Sequence, residues 1–431
     1  MADDQNKEVE TSIRCQLESL LQSPFHHSIY KVPEHMRKVK TECYQPSVVS
    51  IGPLYYENQT LKHTHELKLR HLKCFLEFDI YTNGNNAKSL SQYIDIVRRW
   101  EEKARSYYAE KITLSSNEFI EMLIVDATFI IFLFMWSCDK FLLGAHPMEN
   151  KFDVLLHVHQ DIFLEENQIP FFVLNNLYDE AFGEAYRDIT FNDITRCFIG
   201  ETFFPGREVA RSIIGKEKLN KASNIKHLVD FLRICNLPTK LRHQLPNNNE
   251  NSNGDSSDEF PLTAKELKAA GVRFMASESK NVLDITFSKG VLYIPTLTIQ
   301  DTTEAVLRSI VFFEQCHYFC DSYVIDYLFL LDALIHTQED VQILVQSGII
   351  KHWFGSNEEV AILFNKITKH LSMRNPGFYY AQVCQDLNAY PTMSWNKWKG
   401  VIKRDYFNYY SWSVLVLPIL LALQVYTVFV K

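Results

Sequence analysis

Metal binding and acid–base catalysis need histidine, cysteine or carboxylate side chains close together, and three stretches of this sequence offer them. The first contains Cys316, His317 and Cys320. On a helix the two cysteines share a face, where they could hold a zinc ion with two further ligands. No second pair of such ligands lies nearby in the sequence, and cysteine is often buried in protein cores. We therefore interpret these cysteines as ordinary buried thiols.

The second stretch places two alternating histidines, His157 and His159, before the carboxylates Asp161, Glu165 and Glu166. Such a set can bind a metal or supply a general acid and a general base. Closeness in sequence alone does not create the geometry of a site, however. We therefore predict a solvated helix face that leads into a proline.

The third stretch, formed by His63, His65 and Glu66, is better explained as the exposed start of a helix than as a set of ligands. The sequence also lacks the GxxxxGK[ST] phosphate loop, the GxGxxG dinucleotide motif, the HExxH metalloprotease motif and the GxSxG nucleophile elbow. Catalytic groups can come from distant parts of a chain, so an enzyme is not excluded. The sequence predicts no catalytic residue, no cofactor and no metal ligand.

Composition narrows the class of protein. The chain has 431 residues, of which 46% are hydrophobic, and this is enough apolar material for a large core. The net charge of -8 disfavours nucleic acid as a partner. The 9 cysteines are scattered without a CxxC pair, which indicates thiols that stay reduced.

The segment from Trp412 to Val430 has no charged residue, and its 19 residues match the roughly 20 that a bilayer-spanning helix needs. Membrane helices tolerate a proline such as Pro418. We predict a single transmembrane helix that anchors the protein in membrane lipid; the alternative is a buried core helix. The residues assigned to the anchor are Trp412, Leu415, Leu417, Pro418, Leu420, Leu421, Val425 and Phe429.

Positive charges are distributed unequally around this segment. Lys397, Lys399, Lys403 and Arg404 precede it, whereas only Lys431 follows it. Because positive residues are enriched on the cytoplasmic side of membrane helices, we predict a single-pass protein whose larger part lies in the cytoplasm. Both the plasma membrane and an internal membrane fit this pattern.

The chain divides into three regions by composition. Residues 1–28 are a polar leader with a short amphipathic helix and no signal-peptide pattern, residues 29–410 form the body, and residues 411–431 form the anchor. Within the body, residues 247–259 contain no aliphatic or aromatic side chain and cannot bury enough area to offset the entropy of ordering. We predict a disordered insertion loop over residues 245–259.

The body is predicted to be mainly α, a large helical body with one small β-hairpin. The hairpin consists of Val282–Phe287 and Val291–Ile299, which are rich in β-branched and aromatic residues. Phe119–Trp136 is apolar enough to suggest a second membrane span, but Glu121 and Asp126 leave too short an uncharged stretch, so we predict a buried central helix. Other helix starts are indicated at Pro170, Thr263 with Glu266, Thr337 with Asp340, and Ser356 with Glu359.

Several short blocks resemble, in the same order, those of a plant family called domain of unknown function 247, also described as uncharacterised protein family 0481. The resemblance extends from Ile29 to the terminal segment. The chain departs from the family at Ser309, where asparagine is usual, and in the aromatic block before the anchor, which lacks the usual Asn-Pro-Trp. The matching blocks include Ile29–Pro33, Tyr44–Pro46, Val49–Pro53, His65–Lys68, Tyr107–Glu110, Asp161 with Glu166–Phe171, Thr263–Leu267 and Phe313–Gln315.

The resemblance implies a plant protein that ends in one membrane helix. No enzymatic activity is established for the family, so it supplies no site residues. Some grass members are implicated in self-incompatibility, as candidate male determinants recognised during pollination. The block Glu166–Phe171 is interpreted as structural, a polar turn before Pro170 with Ile169 and Phe171 packed inward.

Two functions of different class remain. The first is a non-enzymatic, membrane-anchored recognition or signalling protein that contacts an unidentified protein partner through its helical body, with a part in self-incompatibility as a narrower form. The second is a membrane-tethered enzyme with a cleft between the two halves of the body, where polar side chains from distant segments converge.

Protease protection on sealed microsomes tests the predicted topology. With a tag at each end of the chain, we expect the N-terminal tag to be digested and a tag placed after Lys431 to be protected, because the flanking charges place the body on the cytoplasmic side. Protection of the N-terminal tag would contradict the prediction, and would make Asn58 in the Asn58-Gln59-Thr60 sequon a candidate for glycosylation.

Overall fold

The computed structural model describes most of the chain from residue 27 to residue 390, together with a few residues before it. The described ranges are 27–138, 152–203, 224–242, 260–279, 281–318, 321–369 and 377–390, with residues 6, 9–11, 13, 14 and 371. The predicted insertion, the anchor residues and the charges at Lys397, Lys399, Lys403 and Arg404 lie outside them, and so does most of the predicted N-terminal helix.

The chain forms two compact units, which we describe separately. Unit 1 contains residues 1–242, 298–325 and 369–375, and unit 2 contains residues 243–297, 326–368 and 376–431. In both units helices predominate, which confirms the mainly α class.

Unit 1 is built from helices joined by short irregular segments. Short single-turn 3₁₀ helices lie at Thr41–Cys43, Pro53–Tyr55, Gln59–Thr64 and Gly84–Asn86. The α-helices are α1 Glu34–Arg37, α2 His65–Asn83, α3 Leu90–Arg98, α4 Glu101–Arg105, α5 Ser116–Cys138, α6 Phe152–Ile162, α7 Phe171–Phe182, α8 Phe191–Phe203, α9 Leu228–Cys235 and α11 Thr303–His317.

The centre of unit 1 is α5, which packs against α2, α3, α7 and α8. Apart from Glu121, its side chains from Phe119 to Trp136 are buried, which confirms the prediction of a central core helix. Among the described residues it is also the one helix long and apolar enough to cross a membrane, but it is almost entirely enclosed by protein. Phe134 stacks on Phe198 of α8 with ring centroids 3.9 Å apart, so the contact between these helices is largely aromatic.

Unit 2 has more β structure than the sequence indicates. Its helices are α10 Ala264–Ala269, most of α12 Tyr323–Leu334, α13 Gln338–Gln346 and α14 Asn357–Ile367, with a further helical stretch over residues 381–390. The strands are β1 Arg273–Ser277, β2 Thr286–Ser288, β3 Val291–Pro295 and β5 Ile350–His352, and the first residue of β4 Leu297–Ile299 also belongs to unit 2.

The predicted hairpin is confirmed in part. Strands β2 and β3 are antiparallel and joined by Lys289 and Gly290, both with positive φ as a tight hairpin turn requires. The description of this hairpin as the one small β element is wrong, because β1 pairs in parallel with β3 and two further strands, β4 and β5, are present. The pairing of β1 depends on contacts across the chain that alternation in sequence does not reveal.

Helix starts in unit 2 follow the sequence closely. Thr263 and Glu266 form a reciprocal capping box at α10, and Thr337 and Asp340 form one at α13. The Ser356 hydroxyl accepts the backbone N–H of Glu359 at the start of α14. These caps satisfy backbone N–H groups that have no partner within a helix, which explains why local sequence predicts them well.

Candidate functional site

The segment from Asp161 to Gln168, which links α6 to α7, is the most polar buried part of unit 1. Five of its side chains are ionisable or amide groups, and each has less than 3% of its surface exposed: Asp161, Glu165, Glu166, Asn167 and Gln168. Ile169 and Phe171 pack inward after it, as predicted. Buried polar groups are costly unless hydrogen-bonded, so their partners determine what the segment does.

Asp161 binds the backbone of a chain segment more than a hundred residues away. Its carboxylate accepts the backbone N–H groups of Ser47, Val48 and Val49 at distances between 2.7 and 3.1 Å. Burial raises the pKa of this carboxyl, while the three N–H groups favour the ionised form. One side chain therefore fixes three consecutive peptide groups that have no helix or strand partner.

Glu166 and Asn167 hold neighbouring parts of the same N-terminal segment. Glu166 accepts the backbone N–H of Val32, the Arg37 guanidinium and the Tyr55 hydroxyl. Asn167 accepts the backbone N–H of Ile51 at 2.6 Å and donates its amide to the carbonyl oxygens of Val49 and Asp161. Both side chains thus complete the hydrogen bonds of backbone that runs outside regular secondary structure.

The glycine at position 52 allows this backbone to lie against the polar segment. Gly52 has a φ of 74°, and a Cβ atom there would overlap the carbonyl oxygen of Gln168. Its N–H donates to Asp126 of α5, whose carboxylate also binds the ammonium of Lys68 on α2. The central helix is therefore connected to the same segment through a buried ion pair.

Glu165 differs from its neighbours because its carboxyl has no hydrogen-bond partner. Both oxygens are buried and unpaired, and the nearest ionisable contact is His227 Nε2 at 3.7 Å from Oε1. Burial raises the pKa of Glu165 well above its usual value, and the nearby carboxylates Asp230 and Glu166 raise it further. Burial in this cluster therefore favours the protonated, neutral form of the Glu165 carboxyl.

His227 is a neutral base beside this acid. Its ring is fully buried, and burial lowers its pKa to about 3. Nε2 lies 3.0 Å from the carbonyl oxygen of Ser28, so this nitrogen carries the hydrogen and Nδ1 is left as an unpaired acceptor. A second histidine, His317, also has an unpaired buried ring nitrogen, and burial lowers its pKa to about 4.

Among the three clusters identified in the sequence, the cluster that begins at His157 has only part of the solvent exposure that was predicted for it. His157 is exposed, but Asp161, Glu165 and Glu166 are buried, so the prediction of a solvated helix face is wrong for all three. They lie where α6 ends and the chain turns into the core, and backbone groups from elsewhere in unit 1 replace solvent around Asp161 and Glu166. His159 is half-buried, and burial lowers its pKa to about 4.

The other two clusters contain no metal site among the described residues. His63 and Glu66 are exposed at the start of α2, which confirms the surface interpretation. Cys316 is exposed, so its interpretation as a buried thiol is wrong, and Cys320 lies outside the described residues. The pairing of Glu165 with His227 was missed, because the two residues are 62 positions apart in the sequence and no motif connects them.

Hydrogen bonding divides the buried polar side chains of this site into two groups. Asp161, Glu166 and Asn167 have hydrogen-bonding groups engaged with backbone, which makes them structural. Glu165 and His227 keep unengaged groups, an acid and a base at neutral charge, which is the form that general acid–base chemistry or ligand binding needs.

Replacing Asp161 tests the structural role. We expect Asp161→Ala to lower the free energy of unfolding by at least about 3 kcal/mol, because it leaves three buried N–H groups without an acceptor. Asp161→Asn keeps one carbonyl oxygen and should cost less. Chemical denaturation of the full chain in detergent measures both, with the exposed Asp95→Ala as a control expected within about 0.5 kcal/mol of wild type. Equal stability of all variants would contradict the role.

The raised pKa of Glu165 predicts a pH dependence. Between the usual carboxyl pKa and the raised folded value, the folded protein holds a proton that the unfolded chain releases, so wild-type stability falls as pH rises. Glu165→Gln removes this proton. We expect its stability relative to wild type to grow with pH above about 5, by up to about 1.4 kcal/mol per pH unit. A difference independent of pH, measured by denaturation, would contradict a protonated Glu165.

Comparison with known proteins shows which other proteins the chain is similar to. Two curated relatives from Arabidopsis thaliana are similar to the chain. UPF0481 protein At3g47200 is 27% identical over 86% of this chain and 79% of its own length. Putative UPF0481 protein At3g02645 is 23% identical over 97% of this chain and 93% of its own length. No solved structure matches the chain.

A family described as plant protein of unknown function matches residues 29–425. This range includes the polar segment, the N-terminal stretch that it binds and His227. The chain therefore belongs to the plant family named domain of unknown function 247.

Proposed function

We propose that this chain is a membrane-anchored recognition or signalling protein, which acts through protein contacts on its helical body rather than through catalysis. The observation that carries the proposal is the use of polar side chains in the segment 161–168. Asp161, Glu166 and Asn167 are bound to backbone groups within unit 1, so they hold the fold and do not face a substrate.

Exposed aromatic side chains offer contact points for a partner. Tyr81 on α2 is 83% exposed in unit 1, and Trp353 after β5 is 73% exposed in unit 2. Tyrosine and tryptophan are enriched at protein interfaces, because each gives a large rigid contact area at low entropic cost. The two residues are the first positions at which we expect a partner to bind.

The anchor determines where such a partner is met. The apolar segment from Trp412 to Val430 tethers the body to membrane lipid, and the basic residues before it keep the body in the cytoplasm. A tethered protein meets membrane-associated partners at a raised effective concentration. The narrower form of the proposal, a part in self-incompatibility, is supported only by the family resemblance.

One observation favours a membrane-tethered enzyme instead. Glu165 and His227 are an unpaired acid and a neutral base in one buried cluster of unit 1, and perturbed pairs of this kind occur often at active sites. We rank this second, because the described residues provide no group of metal ligands beside the pair.

Proximity labelling in plant cells tests recognition. The full chain carries a biotin ligase, and the variants are Tyr81→Ala, Trp353→Ala and the control Lys111→Ala, which removes an exposed charge. We expect at least one aromatic variant to lose a set of labelled proteins that wild type and the control share, at an unchanged midpoint of thermal unfolding. Identical labelling by all three variants would count against recognition through these surfaces.

Glu165→Gln separates recognition from catalysis in the same cells. Glutamine has nearly the same shape as the acid but cannot transfer the proton. If the protein acts through recognition, the variant should label the same proteins as wild type and give the same phenotype. Loss of the phenotype with unchanged labelling would favour the enzyme.

A further inference from the structure

Unpaired polar atoms from four separate segments of unit 1 occur around Glu165. Native proteins leave very few buried polar atoms without a partner, so a group of them indicates something that fills their hydrogen bonds. Neighbouring rings connect the group: His227 and His317 both lie against Phe313, with ring centroids 4.5 and 4.8 Å apart. The atoms are both carboxyl oxygens of Glu165, Nδ1 of His227, Nε2 of His317 and Oγ of Ser28.

The unpaired atoms are mainly acceptors. His227 already uses its ring hydrogen on the Ser28 carbonyl oxygen, which leaves Nδ1 as a lone pair. Burial favours neutral His317, whose ring also bonds to the Ser28 backbone, which leaves Nε2 as its acceptor nitrogen. Glu165 adds two oxygens and, when ionised, a negative charge. A ligand with several N–H donors and a positive charge complements this set, as a primary ammonium group does.

Aromatic rings lie near these acceptor atoms, and aromatic faces also attract a positively charged ammonium group. The Tyr30 ring lies 5.3 Å from the His317 ring, and Phe313 lies against both histidines. The chain's own Lys226 shows that these rings accept an ammonium, because its Nζ lies 5.6 Å from the centroid of Phe313. Ammonium groups bind favourably near aromatic faces, more so when shielded from water.

Lys226 forms no ion pair with Glu165, although its charge acts to lower the pKa of that carboxyl. Its ammonium is directed to the Tyr318 hydroxyl at 3.4 Å, and that hydroxyl donates to Asp230 at 3.0 Å. Burial lowers the pKa of Lys226. The carboxyl of Glu165 is therefore left for a cation that comes from outside the chain.

We propose that Glu165, His227, His317 and Ser28 form a binding site for the primary ammonium group of a small amine, with Glu165 as its counterion. Cys316, which is exposed, and Tyr30, which is half-buried, give the site a side near the surface. The proposal goes beyond the recognition function and does not rest on it.

Binding is coupled to a proton in this scheme. Burial favours the neutral acid of Glu165 in the free site, and the incoming ammonium stabilises the carboxylate, so the carboxyl proton leaves to the buffer and the ammonium keeps its own protons. Amine affinity should therefore rise with pH over the range in which the free site still holds the Glu165 proton and the amine is still charged. The ionisable groups that face Glu165 are Tyr30, Glu166, Lys226, His227, Asp230 and Cys316.

Titration calorimetry on the full chain in detergent tests the site with methylammonium as the probe. We expect saturable binding whose enthalpy depends on the buffer, with close to one proton released per amine bound. Tetramethylammonium has the same charge and no N–H donor, so we expect at least tenfold weaker binding. Sodium chloride at matched ionic strength serves as the salt control.

Two variants complete the experiment. Glu165→Gln removes the counterion and should weaken methylammonium binding at least tenfold, while Glu77→Gln, an exposed carboxylate on α2, should leave it unchanged. Proton release is measured on the wild-type protein alone, so the test remains valid if Glu165→Gln fails to fold. Absence of saturable binding, or equal binding of both cations, would overturn the proposal and leave ordered water as the partner of these atoms.

Discussion

Several backbone groups between residues 28 and 52 lie outside helix and sheet and need other hydrogen-bond partners, and this constraint governs unit 1. The peptide N–H groups at Val32, Ser47, Val48, Val49 and Ile51 all donate to side chains of the segment 161–168. An unpaired buried N–H costs about as much as a lost hydrogen bond, so this many cannot be left without acceptors. Carboxylates and an amide provide the acceptors, and they must themselves be buried to reach the backbone.

Buried charge is stable here because every structural carboxylate has several donors. Asp161 has three N–H groups, Glu166 has an N–H, a guanidinium and a hydroxyl, and Asp126 pairs with Lys68 across α5 and α2. Truncating one partner of such a pair leaves an uncompensated charge in a medium of low polarity. The same donors position the N-terminal segment, α2 and α5 relative to one another within unit 1.

Glu165 breaks this rule in the middle of the most tightly bonded segment. Its neighbours on either side are engaged by the backbone, while both of its own oxygens are unpaired. Unpaired buried side-chain atoms also occur elsewhere among the described residues, but five of them lie in the one cluster around Glu165, and this concentration marks the cluster for a purpose other than stability. The neutral histidines and aromatic rings around it suit an external cation, which would restore the charge that burial removes.

The sequence by itself determined the local features. Composition and apolar runs predicted a mainly α body, the buried helix α5 and the hairpin β2–β3, and paired residues such as Thr263 with Glu266 predicted helix caps. These succeed because each depends on residues within a few positions of one another. Family membership was also evident from short blocks in order, and the family comparison confirms it over residues 29–425.

Only the tertiary structure decided which polar residues are buried and what they bind. The acidic run from Asp161 to Glu166 looked like a solvated face, yet its partners are peptide groups more than a hundred residues away. Strand β1 and the pairing of Glu165 with His227 were likewise not predicted from the sequence. Long-range hydrogen bonds leave no periodic signal in a single sequence, because the energy of a buried carboxylate depends on the donors that folding brings to it.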